Sequence, residues 1–271
     1  MRQPGGGELL VAARLLRRSA RGLVQVMGRF DVAAQPADSA ARRAGGGGCS
    51  AEIAWREDRR ATETLGMADM GSFRNAVTAW AAGGSGEPAR ELAGRLPVRV
   101  VVLLEGPSDV AAVDALAERR GRNLAAEGVC VLPMGGAMSV GRFAALLGPT
   151  GLDLPLTGLC DEGERSFYAR ALEGTGTARH GFFVCAADLE DELIRALGVP
   201  RVKELVEEQG DLRALQTFLR QPAQQGRAAH QQLRRFLGTK KGRKIHYGRV
   251  LVEALDADRV PAPLEGLLSG V

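Results

Sequence analysis

Val98-Arg99-Val100-Val101-Val102-Leu103-Leu104 runs without a break into Glu105-Gly106-Pro107-Ser108-Asp109. The run is β-branched and nearly all apolar, the composition of a strand covered on both faces of a parallel sheet. Gly106 and Pro107 then turn the chain, and a helix is expected over about 108–121 with Val110, Val113 and Ala117 on its apolar side. The same alternation recurs downstream: strand 129–132, helix 140–147, strand 156–160, helix 164–172, strand 181–185. Strands and helices alternating over short loops are βαβ units, so the fold expected is α/β, a mostly parallel four-stranded Rossmann-like sheet flanked by helices.

Outward from this core the character changes on both sides. From Asp188 no strand pattern returns, and helices near 188–197, 200–208, 211–219, 228–237 and 242–255 are expected to form a C-terminal helical region packed on the sheet. On the N-terminal side, residues 1–66 mix Arg14, Arg17, Arg18 and Arg21 with a Gly tract at 45–48, and read as a disordered or marginally helical extension. Residues 67–96 read as a short helical lead-in and linker. Ser72 is expected to cap a helix carrying Phe73, Val77 and Trp80, with the linker at 83–88. Met67 and Met70 offer alternative starts, so an over-extended gene start is a further expectation, checked by N-terminal sequencing of the native protein. The division expected is therefore 1–66, 67–96, 97–187 and 188–271.

The 271 residues are 45% hydrophobic with net charge +4, and their mean hydropathy is −0.08, values that suit a folded water-soluble chain. No apolar run reaches the roughly 18–20 residues of a membrane span, and the N-terminus lacks a signal peptide's apolar core, so a cytoplasmic protein without a membrane partner is expected. Cys49, Cys130, Cys160 and Cys185 show no metal-binding spacing, and the last three fall in apolar strands as buried thiols. His180, His230 and His246 lack zinc spacing or a nucleophile partner, which disfavours zinc chemistry and hydrolase triads.

In open parallel sheets, ligands bind beyond the carboxyl ends of the strands. The first strand ends in Glu105 with Asp109 in the following helical turn, the second in Met134-Gly135-Gly136, and the third in Asp161-Glu162-Gly163-Glu164. Acids converging from neighbouring strand ends repel one another, and a hard divalent cation with oxygen ligands at about 2.0–2.1 Å relieves them. Asp109 and Glu164 taken singly are also what a helix dipole favours in a first turn. Glu105 ends a buried strand, where a carboxylate needs a partner. Gly135-Gly136 is either a plain βα turn or a place that lets phosphate or another backbone segment approach closely.

The elements Leu103-Leu104-Glu105-Gly106-Pro107-Ser108-Asp109, Met134-Gly135-Gly136 and Leu159-Cys160-Asp161-Glu162-Gly163-Glu164 together resemble the TOPRIM domain shared by topoisomerases, DnaG-type primases and OLD-family (overcoming lysogenization defect) nucleases. The continuation Asp188-Leu189-Glu190-Asp191-Glu192-Leu193 is similar to the OLD branch, and the resemblance spans about 97–258. It implies that Glu105 is the TOPRIM glutamate, acting in metal binding or acid/base catalysis, that Asp109 is the further acid of the Glu-Gly-x-x-Asp element, and that Asp161 is the first acid of the Asp-x-Asp pair. Gly163 stands where the second should be, with Glu162 or Glu164 as substitutes, Glu164 the better placed. The resemblance also implies Glu190 as a ligand to a second metal, against a plain surface helix acid, and Mg²⁺ or Mn²⁺ as cofactor.

Between Gln221 and Val250 stand eight basic residues and no acid. Arg234, Arg235, Lys240, Lys241, Arg243 and Lys244 are the expected DNA contacts, since a one-signed stretch beside an acidic metal site suits a phosphodiester substrate; the bland alternative is a solvated helix face. By the resemblance, Lys244 is the lysine that stabilises transition-state charge. No Gly-x-x-x-x-Gly-Lys-[Ser/Thr] occurs, so a stand-alone TOPRIM protein is expected, with any ATPase partner supplied in trans. The function expected is a metal-dependent DNA endonuclease or nickase. The alternatives are a catalytically degenerate module that binds metal or DNA and acts through a partner, and a phospho-acceptor receiver-like domain using Asp161, which the single acid ending the first strand disfavours.

Overall fold

The structure, a computed structural model, describes residues 69–173 and 181–271. The readings made for 1–66, Met67, Cys49 and His180 fall outside the described residues. Helix α1 covers 69–81 and α2 Glu87–Arg95. Ser72 lies inside α1, which is already helical at 69, and so does not cap it. The expected 83–88 linker is shorter than the sequence suggested. Gly86 is the N-cap of α2 and Pro88 sits in its first turn, where proline's missing N–H leaves no hydrogen bond unmade. The Trp80 ring lies against Gly86, where a Cβ would meet Trp80 Cε2 at 2.5 Å.

Strand β1, Val100–Leu104, is buried along its whole length. Val100, Val102 and Leu104 enter one core, while Val101 and Leu103 enter another on the opposite face. That division follows from the two-residue period of a strand with no polar side chain. Beyond β1 come α3 (Pro107–Arg119), β2 (Val129–Pro133), α4 (Val140–Leu147), β3 (Leu156–Asp161), α5 (Arg165–Glu173) and β4 (Phe182–Cys185). The four strands form one all-parallel sheet in the order β2-β1-β3-β4. Val100 pairs with Val129 on one side, and Val101 with Leu156 on the other.

Helices α1, α4 and α5 contribute Phe73, Val77, Phe143, Leu147 and Tyr168 to one core. The other face takes α3 and the C-terminal helices α6 (Leu189–Leu197), α7 (Val199–Glu208), α8 (Leu212–Leu219), α9 (Ala229–Leu237), α10 (Lys241–Glu253) and α11 (Ala262–Ser269). Sequence reading missed α11, whose Leu264, Leu267 and Leu268 are buried. The helices after Asp188 share a single core with the sheet. Arg119 donates from α3 to the carbonyls of Val252 (2.6 Å) and Leu255 (2.8 Å), satisfying the open end of α10.

One contact decides how α10 meets the sheet. A Cβ at Gly248 would lie 2.6 Å from the Ser108 carbonyl oxygen, so α10 crosses the start of α3 at backbone contact distance. Cys130, Cys160 and Cys185 are buried free thiols. Among the described residues no helix is long and apolar enough to cross a membrane.

Candidate metal centre

The carboxyl ends of β1, β3 and β4 meet at one place. Leu104 leads into Glu105, whose backbone carbonyl accepts hydrogen bonds from Gly135 N (3.0 Å) and Gly136 N (3.0 Å). Those glycines have φ of +77° and +127°, and nothing lies within 4 Å of a Cβ built on either. Backbone conformation rather than crowding therefore calls for glycine there. The pair acts as a clamp on the Glu105 main chain, so the glycine turn also brings another backbone segment close, and both sequence readings meet in one feature.

Asp161 ends β3 and precedes a 3-10 turn, Glu162–Glu164. The turn swings Glu164 back towards the sheet. One carboxylate oxygen each from Glu105, Asp161 and Glu164 lies within 4.8 Å of the others. Among the described residues no Lys or Arg forms an ion pair with any of the three; Glu162 pairs instead with Arg165 at 3.6 Å. Glu164 Oε2 is enclosed and has no hydrogen-bond partner. Burial, reinforced by Asp188, Glu105, Glu164 and Asp109, pushes the Asp161 carboxyl up to about 7. Burial and then the charges of Glu105 and Asp109 likewise raise Glu164.

Asp109 stands beside this trio. Its Oδ2 accepts from Gly106 N at 2.9 Å, closing the first turn of α3, and burial raises its carboxyl against the opposing pull of that bond and of Lys244. Asp109 thus performs the helix-start role that its position allows, while facing the same pocket as Glu105, Asp161, Asp188, Glu190 and Lys244.

The remaining acids carry their own cations. Glu190, 4% exposed in the first turn of α6, lies 3.3 Å from Lys244 Nζ. Burial pushes Glu190 up to about 7 against the pull of that ammonium. Burial also opposes the charge on Lys244, but the carboxylates of Glu190 and Asp109 outweigh it, and the lysine is held above its usual range. Asp188 caps α6 by accepting from Asp191 N at 2.8 Å, and its other oxygen accepts from Arg234 Nε at 2.6 Å. Sequence reading passed over Asp188, although it follows the end of β4 and the strand-end rule applied to the first three strands would have found it.

Asp188, Glu190 and Lys244 also line a groove of about 570 Å³ together with Arg227, Gln231, Arg234 and Arg235. The acidic pocket and the basic groove thus adjoin, sharing Asp188, Glu190 and Lys244. Lys240 and Lys241 are exposed at the start of α10. Arg243 is different: its guanidinium forks onto Asp211 at 3.0 and 3.1 Å, lies 4.2 Å over the Phe236 ring, and is only 10% exposed. It holds α10 to the start of α8 rather than facing the groove. Another cavity, of about 400 Å³, lies beside α1 and α3 and is bordered by none of the trio.

A family model described as the overcoming lysogenization defect protein-like TOPRIM domain matches residues 98–162. Over that stretch the chain matches the OLD-like TOPRIM family model, which is what a TOPRIM-type sheet with acids at its strand ends leads one to expect. The matched stretch includes Glu105, Asp109 and Asp161 and stops short of Glu164, Glu190 and Lys244. Similar solved structures include the C-terminal region of the Burkholderia pseudomallei OLD protein, 22% identical with TM-score 0.49, covering 64% of this chain and 96% of that one. The C-terminal region of the Xanthomonas campestris pv. campestris OLD protein is 25% identical, also with TM-score 0.49, covering 64% and 93%. No curated protein matches the sequence.

TOPRIM domains have a metal-dependent nuclease-type fold and bind divalent metal ions. The acidic residues of this chain fit such an ion. The trio supplies only oxygen donors, lacks a neutralising side-chain cation among the described residues, and leaves one enclosed oxygen of Glu164 without a partner, conditions suited to a hard cation. At Gly163 a Cβ would meet nothing within 4 Å, so space does not require the glycine that stands in place of a second aspartate.

Proposed function

We propose that this chain is a divalent-metal-dependent DNA endonuclease or nickase that hydrolyses phosphodiester bonds. The observation that carries the reading is a carboxylate trio without an ion-pair partner among the described residues, two of whose members line a pocket that adjoins a basic groove. Glu105, Asp161 and Glu164 would hold Mg²⁺ or Mn²⁺, which supplies Lewis-acid polarisation of a phosphodiester. The Glu105 main chain is held by the N–H groups of Gly135 and Gly136. Asp109 adds negative charge at the edge of the centre while keeping α3 started.

Lys244 brings a fixed positive charge to the mouth of the groove, where charge accumulates on a phosphate under attack. Glu190, the expected ligand of a second metal, is assigned here to holding Lys244, because its carboxylate already has that ammonium as partner. Arg227 and Arg235 in the groove, with exposed Lys240 and Lys241, are assigned to neighbouring phosphates, and Arg234 only through the guanidinium nitrogens other than the Nε that bonds Asp188. Arg243 is left out, being committed to Asp211.

A second reading, a module that retains DNA without cutting it, is favoured by the single observation that Gly163 contributes no carboxylate. Incubation of the purified chain with supercoiled plasmid and Mn²⁺ separates the two. The nuclease reading predicts open-circular or linear product from the parent and none from Glu105→Ala. Absence of product from the parent, or equal product from the variant, contradicts it, and metal-dependent DNA retention without breaks establishes the second reading.

A further inference from the structure

Tyr168 occupies the first half of α5 and is 1% exposed. Its ring packs edge-on against Phe182, with centroids 4.8 Å apart. Phenylalanine would serve that packing equally well, yet the buried hydroxyl has no hydrogen-bond partner. A buried donor left unpaired is destabilising and rare in a folded protein.

The groups around that hydroxyl belong to the acidic centre. Its acidity is suppressed by burial first, then by Cys160, Glu164, Glu105 and Asp109. Glu164 closes the 3-10 turn that leads directly into α5, four residues before Tyr168. Glu164 Oε2 is the other enclosed polar atom at this place without a partner. One orphan can only accept and the other can donate. The two are complementary in chemistry and one helical turn apart in sequence.

We propose that Tyr168 is the positioning residue of the centre, its hydroxyl donating to the Glu164 carboxylate when Glu164 turns to share a cation with Glu105 and Asp161. The inference rests on the cation reading given under Proposed function. Glu164 comes from a short turn and has one more rotatable bond than the aspartate absent at 163, so it has more freedom to lose on ligation. A donor from the protein side that fixes the carboxylate is the usual support for a metal ligand, and loss of such support weakens metal affinity by about 10–100-fold.

Thermal melts and calorimetric titration with Mn²⁺ on the full chain test this through Tyr168→Phe. In chelator the variant is expected to melt at or above the parent, because the hydroxyl it loses is unpaired in the cation-free protein. With Mn²⁺ the variant is expected to gain less in Tm, and its Kd to rise about 10–100-fold. Glu164→Gln is expected to weaken Mn²⁺ as well, and the double variant to be no weaker than Glu164→Gln alone, since the two groups act as one unit. A variant that melts far below the parent in chelator, or fails to fold, shows that the hydroxyl has a structural task and overturns the proposal. An unchanged Kd, or losses that add in the double variant, overturns it too. Failure of the cation reading is seen separately, as a parent chain that does not bind Mn²⁺.

Discussion

Lys244 Nζ lies 3.3 Å from Glu190 Oε1, and one turn further along α10 the backbone of Gly248 rests against Ser108 at the start of α3. The close approach of α10 makes the ion pair possible. Ser108 directly precedes Asp109, so a helix that touches Ser108 brings a side chain one turn earlier to the edge of the acidic pocket.

Adding a methyl group at Gly248 therefore acts on both packing and charge. The Cβ of Gly248→Ala would sit 2.6 Å from a backbone oxygen that cannot rotate away. Displacing α10 is expected to cost about 1–3 kcal/mol in urea unfolding. DNA affinity should fall with it, as Lys244 moves from the groove. Unchanged stability would show that α10 is not held at this contact.

Lys244→Ala leaves Glu190 buried without its cation. Breaking a buried pair costs about 3–5 kcal/mol, but the Lys244 side chain is 38% exposed, so we expect about 1–2 kcal/mol after solvent screening. Adding Glu190→Gln to that variant is expected to recover most of the loss, measured by urea unfolding at pH 8. A single variant as stable as the parent contradicts this description of the pair.

Burial pushes both Asp161 and Glu190 up to about 7, whereas such carboxyls titrate near 4 in an unfolded chain. Between these values the folded protein holds protons that the unfolded chain has released. The corresponding stability is complete below about pH 4 and is lost as pH rises through 7. In chelator the protein is expected to melt at a lower temperature at pH 8 than at pH 5.5. A melting temperature that stays level or climbs over this range would count against buried, mutually repelling carboxyls.

Two arginines four positions either side of Thr239 should behave oppositely. Arg243→Ala removes the fork onto Asp211 and the contact with the Phe236 face; it is expected to lower stability while leaving the salt dependence of DNA binding alone. Arg235→Ala, at an exposed position on the groove, is expected to leave Tm unchanged and reduce the slope of log affinity against log salt by about 1. Filter binding across a salt series, with melts of both variants, checks the pair; a reversed pattern contradicts the assignment.

These cases also show what sequence alone conveys. The sheet was legible because Val100 to Leu104 have no polar face to hide, and Glu105 and Asp161 were legible because strand ends mark the ligand side of a parallel sheet. The partners of charged side chains were not legible. Arg243 and Arg235 look alike in a basic stretch, and only the return of α8 places Asp211 beside the first of them. Tyr168 reads as an ordinary core aromatic until its hydroxyl is found buried and unpaired. Gly248 reads as a weak point in a helix until Ser108 is found against it.

Isothermal titration of Mn²⁺ into the full chain reads out directly whether Glu105, Asp161 and Glu164 hold a cation. Saturable binding by the parent is expected, lost in Asp161→Asn and weakened in Glu164→Gln, with the fold of each variant retained. Absence of saturable binding by the parent, or binding that survives both substitutions unchanged, would contradict a cation centre built from Glu105, Asp161 and Glu164.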